Sequence, residues 1–404
     1  MLQRRSSFWD RVPFMQSILA GGPPLAPGER DQRLDMFRGL ALVMIFINHV
    51  PGTVFEHFTN RNYGFSDAAE GFVFMSGMAA GLAYSSAFLR RLPLWLAVAR
   101  PWARARQLYF VHLTLTAIFL GTFAGAAHFF GLYGLLETNN VRAMAREPLA
   151  VLMGIPLLSH QFGYLNILPL YLTLLLATPL LIPLALRKPY WLIAGSVLVW
   201  AIAGQFRLNF PNYPNSGGWF FNPFTWQLLF VIGLAIGVGM KTGKRLFAPR
   251  PVPFLLALGF VLLVLAWVKI PAVGSAGNYG LHLLWRGGLP FWVHSFDKTF
   301  LALPRLLHAL SLFYVLACLP VLLRFAASRA AGPLRAMGRQ GLAVFATGTA
   351  LSLLFQAVKT AVPGDWVFDG ALIAAGLLMQ VGLAYALNKT AAMKLAAARA
   401  QVAA

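Results

Sequence analysis

The chain has 404 residues, 58% of them apolar and 11% charged, with a mean hydropathy of +0.67; soluble domains carry about 25% charged residues, so a soluble globular fold is excluded. The formal net charge of +21 sits in short clusters between apolar runs, which excludes a nucleic-acid partner and fits loops that face anionic lipid. The only cysteine, Cys318, lies in an apolar run and the eight histidines lack metal-ligand spacing, so neither a disulfide framework nor a metal site is expected.

Residues 1–33 read as a polar tail with Arg4, Arg5, Arg11, Arg30 and Arg33, a Gly-Gly-Pro-Pro break and a short interfacial helix near Phe8–Leu19. No signal-peptide h-region follows its basic start. Ten apolar runs come next, at about 35–56, 67–88, 107–130, 149–186, 190–208, 224–240, 253–269, 303–324, 341–360 and 369–387. Most are near the ~20 residues a spanning helix needs. The fourth is too long and is interrupted by Ser159, His160 and Gln161, which predicts a short dipping segment and then a span from about Tyr164 to Leu186. With the N-terminus inside, alternate segments place 23 Lys and Arg on the cytoplasmic side and 8 on the other; an eleventh span would reverse the balance downstream. The expected fold is all-α, a polytopic integral membrane protein of about ten transmembrane helices with both termini cytoplasmic. Its parts are a tail (1–33), one transmembrane domain (34–388) and a second tail (389–404).

Ionisable residues at membrane depth are costly, so each is a functional candidate. The first run carries Arg38 near the inner face and His49 about 16 Å further along the helix axis, after which Pro51 stops the helix. The second run opens on the same outer side with Asp67-Ala-Ala-Glu70, so both carboxylates arrive at the depth of His49. A neutral imidazole takes a proton from a hydroxyl within reach, and a carboxylate fixes its tautomer. The plainer readings are a headgroup-level histidine satisfied by water and a capping box at a helix start. Asp35 and Arg38 are i,i+3 neighbours able to pair; Arg38 either snorkels to the interface or grips a donor phosphate. Arg61, in the polar loop between the two runs, joins the substrate-binding candidates. Further on, Lys298, Arg305 and His308 share one helical face and point to a polar cavity. Asn166, Tyr171, Trp226 and Gln227 line that cavity or, more plainly, serve as inter-helix hydrogen bonds.

The segments LDMFRGLALVMIFINHVPG, TNRNYGFSDAAEGFVFMSG, YLNILPLYLTLLLATPL, FNPFTWQLLFVIGLAIG and KTFLALPRLLHALSL resemble the OpgC family, ten-helix inner-membrane proteins associated with succinylating osmoregulated periplasmic glucans. The resemblance covers about residues 30 to 385. The Arg38-x10-His49 spacing also resembles the motif of the wider group of integral membrane O-acyltransferases, whose histidine is the catalytic base. The resemblance implies His49, Asp67 and Glu70 at the reaction centre, Arg38 on the donor side, and Lys298, Arg305 and His308 in the substrate cavity. The expected reaction moves an acyl group, succinyl first, from cytoplasmic acyl-CoA to hydroxyls of a periplasmic glucan or other envelope glycan. The donor is a substrate, and no tightly bound cofactor is expected; Lys298 or Arg305 would steady the oxyanion or a succinyl carboxylate. The setting is the bacterial inner membrane among its lipids. Two other classes compete. One is a transporter or flippase for an anionic substrate or carrier lipid, against which stands the lack of a visible inverted repeat. The other is a catalytically idle scaffold for glucan assembly.

Overall fold

The computed structural model describes residues 31–403; the tail expected over 1–33, with its helix near Phe8–Leu19, lies outside the described residues apart from its last three positions. What is described is almost wholly helical, and the extended pairing in it is an isolated bridge between Pro211 and Gly218.

Helix α1 (Gln32–Asn48) starts at Asp31, whose carboxylate accepts from the Arg33 amide at 2.8 Å. It is 17 residues long, about 25 Å at 1.5 Å per residue, against ~30 Å of bilayer hydrocarbon. The run expected to reach 56 therefore stops early, and the chain continues in 3₁₀ turns over Val54–Phe58 and Asn60–Asn62. Helix α2 (Ala68–Leu89) follows, then α3 (Leu94–Phe130), which begins ahead of the expected 107 and carries Arg100, Arg104 and Arg106 in helix. The fourth run divides into a short helix Pro148–Gly154, a loop, and α4 (Ile167–Arg187). Helices α5 (Pro189–Phe206), α6 (Pro223–Thr242) and α7 (Pro251–Lys269) occupy the next three runs.

Two features depart from expectation. Residues 271–286 fall outside the ten apolar runs, yet form α8 (Pro271–Arg286), which buries no residue. The run at 303–324 is not one straight helix: α9 (Leu303–Cys318) and α10 (Pro320–Ala327) meet at a 71° bend. Pro320 lacks the amide that would continue the hydrogen-bond ladder, and its ring disfavours helical geometry at Leu319. The chain ends with α11 (Gly332–Arg339), α12 (Gly341–Ala361) and α13 (Trp366–Ala403). Among the described residues, eight helices are long and apolar enough to cross a membrane, namely α2 to α7, α12 and α13, and nine if α9 and α10 make one span. The protein is a multi-pass membrane protein.

Helix α6 is the most enclosed, and it lies against α2 through two pairs of glycines. A Cβ on Gly77 or Gly81 would overlap the carbonyl oxygens of Phe230 or Leu234, and one on Gly233 or Gly237 those of Phe74 or Met78. Both helices thus carry Gly-x-x-x-Gly, the spacing that lets two backbones touch where lipid supplies no hydrophobic drive. The same device joins α1 to α11, where Gly39 meets the Leu334 backbone and Gly338 that of Asp35.

Candidate active site

The start of α2 is built as its spacing predicts. Asp67 Oδ1 accepts from the Ala69 amide and Glu70 Oε2 from the Asp67 amide, both at 2.9 Å, closing a capping box. The other carboxylate oxygens face a distant part of the chain. Glu70 Oε1 accepts from Arg305 Nε at 3.0 Å and from a terminal guanidinium nitrogen at 2.5 Å. Asp67 Oδ2 accepts from Lys298 Nζ and lies 3.5 Å from Arg305. Glu70 is fully buried, Arg305 is 12% exposed and Lys298 26%. Two acids and two bases so form one cluster of zero net charge, which lowers the cost of burying each. Lys298 also stands 5.5 Å from the Phe221 ring centre and 5.7 Å from that of Phe220.

Lys298 does not share a helical face with Arg305 and His308 as expected: it lies in a turn ahead of α9, and that segment is tied down by its own carbonyls. Trp226 Nε1 donates to Lys298 O at 2.9 Å, Thr225 Oγ1 to Thr299 O at 3.1 Å and Trp200 Nε1 to Leu301 O at 3.0 Å. Trp226 is therefore a tether for the cluster. Gln227 is turned away, bonding Ser196 through both its amide atoms. His308 holds the approach to α2: the Ser66 amide donates to its Nδ1 at 3.3 Å, with Ser66 Oγ at 2.7 Å. An amide donates and never accepts, so Nδ1 is the acceptor and the ring proton sits on Nε2.

His49 caps α1. Its amide bonds Ile45 O at 3.0 Å, and its carbonyl accepts from Gln356 Nε2 at 2.7 Å. Just beyond, Lys359 Nζ bonds Gly52 O at 3.1 Å and Asp369 at 2.5 Å, so α12 and α13 hold the turn. The imidazole lies against Tyr164, ring centres 4.5 Å apart at 53°, and its buried Nδ1 has no hydrogen-bond partner. Asp67 and Lys298 are close enough for their charges to act on the ring. All four oxygens of Asp67 and Glu70 are bonded elsewhere, however, and the direct carboxylate–imidazole bond expected from shared depth is not formed.

His49 lines a cavity of about 10 Å³ with Phe345, Thr349 and Gln380; a second, of about 20 Å³, shares Phe345 and is lined by Arg38, Arg104, Ser76 and Tyr171. Arg104 was not foreseen there, since its arginine-rich surroundings read as loop. Asp35 is buried and accepts from Arg339 Nε at 3.3 Å, on the α1–α11 contact. Arg61 makes a half-exposed pair with Glu56 at 3.3 Å. Asn166 precedes α4 without a side-chain capping bond. Sequence reasoning missed Tyr164, whose one signal was its place just after the polar break of the fourth run.

No curated protein matches the chain. The family model described as OpgC protein matches residues 30–392. With nearly its whole length covered, the chain belongs to the OpgC family.

Proposed function

We propose that this protein is a membrane-embedded O-acyltransferase that moves an acyl group, succinyl first, from cytoplasmic acyl-CoA to hydroxyls of a periplasmic glucan. Membership of the OpgC family suggests the acyl-transfer role. The site assignment is supported by His49, a half-buried imidazole whose buried Nδ1 has no hydrogen-bond partner and which lines a small cavity beside Phe345. In this reading ten helices cross the inner membrane with both termini in the cytoplasm, α1 and the bent α9–α10 pair supplying the spans that length alone does not identify. Arg38 and Arg104 receive a phosphate of the donor, and the thioester reaches along α1 to His49. His49 takes the proton of the sugar hydroxyl, the oxygen adds to the thioester carbonyl, the C–S bond breaks, and the imidazolium returns its proton to sulfur. Lys298, the most exposed cation of the cluster, steadies the oxyanion or a succinyl carboxylate. Asp67 and Glu70 act by holding Lys298 and Arg305 in place.

The test is mass spectrometry of periplasmic glucans from intact, deleted and His49→Ala strains. The substituent disappears on deletion and stays absent with well-expressed His49→Ala. Unchanged glucans in all three would overturn the acceptor assignment. The 71° break at Leu319 favours a second reading, a transporter or flippase for an anionic substrate or carrier lipid, because broken helices recur at transport sites. Acyl-CoA turnover by purified protein excludes that reading, and its absence supports it.

A further inference from the structure

Tyr164 holds a backbone conformation that its side chain disfavours, with φ at +69°; a bulky residue there is an outlier, and such outliers persist where the surroundings over-determine them. Those surroundings are visible. The Gly163 amide bonds Asn139 O at 3.2 Å, Asn140 Nδ2 bonds Gln161 O at 2.9 Å, and the Gln161 amide bonds Asn212 Oδ1 at 3.3 Å. Gly163 also abuts the Asn139 side chain so closely that a Cβ would overlap it. Two separate loops thus clamp residues 161–163 and force the next ring onto His49. The Tyr164 hydroxyl lies in the field of Glu56 and Arg61, which form their own ion pair in the loop after α1. His49 therefore borders both a small cavity and a clamped aromatic ring.

Resting on the acyltransferase reading, we infer that Tyr164 is a positioning residue that fixes the His49 imidazole and shields it from water, so that the acyl group goes to a sugar hydroxyl and not to water. The competing reaction is fully defined. Water adds to the thioester carbonyl in place of the sugar oxygen, the C–S bond breaks, and free acid and free thiol leave, the thiol carrying a proton that His49 took from water. A base open to bulk water catalyses both reactions; a shielded one favours the hydroxyl delivered to it.

The experiment uses full-length protein in detergent, succinyl-CoA as donor and a β-glucan oligosaccharide as acceptor. Free CoA and succinylated oligosaccharide are both measured. Tyr164→Ala raises hydrolysis per transfer at least about tenfold, as expected when a site loses its exclusion of water, while Tyr164→Phe stays near the native ratio. An unchanged ratio in Tyr164→Ala overturns the inference, because a purely structural loss lowers both products together. A second readout needs no turnover: modification of His49 by diethyl pyrocarbonate, followed by peptide mass spectrometry. Faster modification in Tyr164→Ala or Tyr164→Leu supports shielding, and equal rates refute it. If the native protein turns over no CoA ester, the acyltransferase reading fails while the modification result still decides the shielding.

Discussion

Removing Glu70 leaves Arg305 with only the longer 3.5 Å contact to Asp67. The carboxylate is fully buried, and its Oε1 accepts two bonds from a guanidinium that is itself 12% exposed. Breaking one side of a buried pair costs about 3–5 kcal/mol, so Glu70→Ala lowers the thermal midpoint of detergent-solubilised protein sharply. Lys298 is more exposed and its charge is more open to solvent; Lys298→Met keeps a near-native midpoint while acyl transfer falls, which separates a holding role from a reacting one. All four members of this cluster were visible in the sequence as ionisable groups in apolar surroundings. Their pairing was not, because Asp67 and Glu70 lie 231 to 238 residues from their partners. Shared depth with His49 does not reveal that the carboxylates turn to Lys298 and Arg305, for a simple reason. A topology count locates a residue along the membrane normal and leaves its two in-plane coordinates open. Tyr164 was harder still, since nothing in a tyrosine's flanking residues announces a left-handed backbone.

Between elements, the α2–α6 contact depends on glycines that no side chain can replace. Gly81→Leu or Gly233→Leu pushes a side chain into backbone carbonyls of the facing helix, and overpacking of a close contact costs about 1–3 kcal/mol even where neighbours give way. Either variant loses the monodisperse peak on size-exclusion chromatography. Gly195→Leu is the control, because nothing lies within 4 Å of a Cβ there. The long apolar helices were legible because their hydropathy alone identifies them. The Gly, Ser and Asn content of Pro271–Arg286 hid α8, and an apolar run read straight through Pro320 hid the bend that its missing amide causes.

For the whole molecule, the uneven distribution of basic residues predicts both termini in the cytoplasm. A green fluorescent protein fused to the C-terminus fluoresces, and alkaline phosphatase inserted between α5 and α6 is active; the reverse pattern would overturn the ten-span topology. The neutral cluster also sets an order of events during synthesis. Asp67 leaves the ribosome 231 residues before Lys298, a wait of roughly ten to fifty seconds at ordinary elongation rates. Through that interval α2 presents two acids at the bilayer with no cation of the cluster to answer them. The cluster therefore cannot reach its neutral state until the turn carrying Lys298 and the start of α9 carrying Arg305 have been made, late in translation.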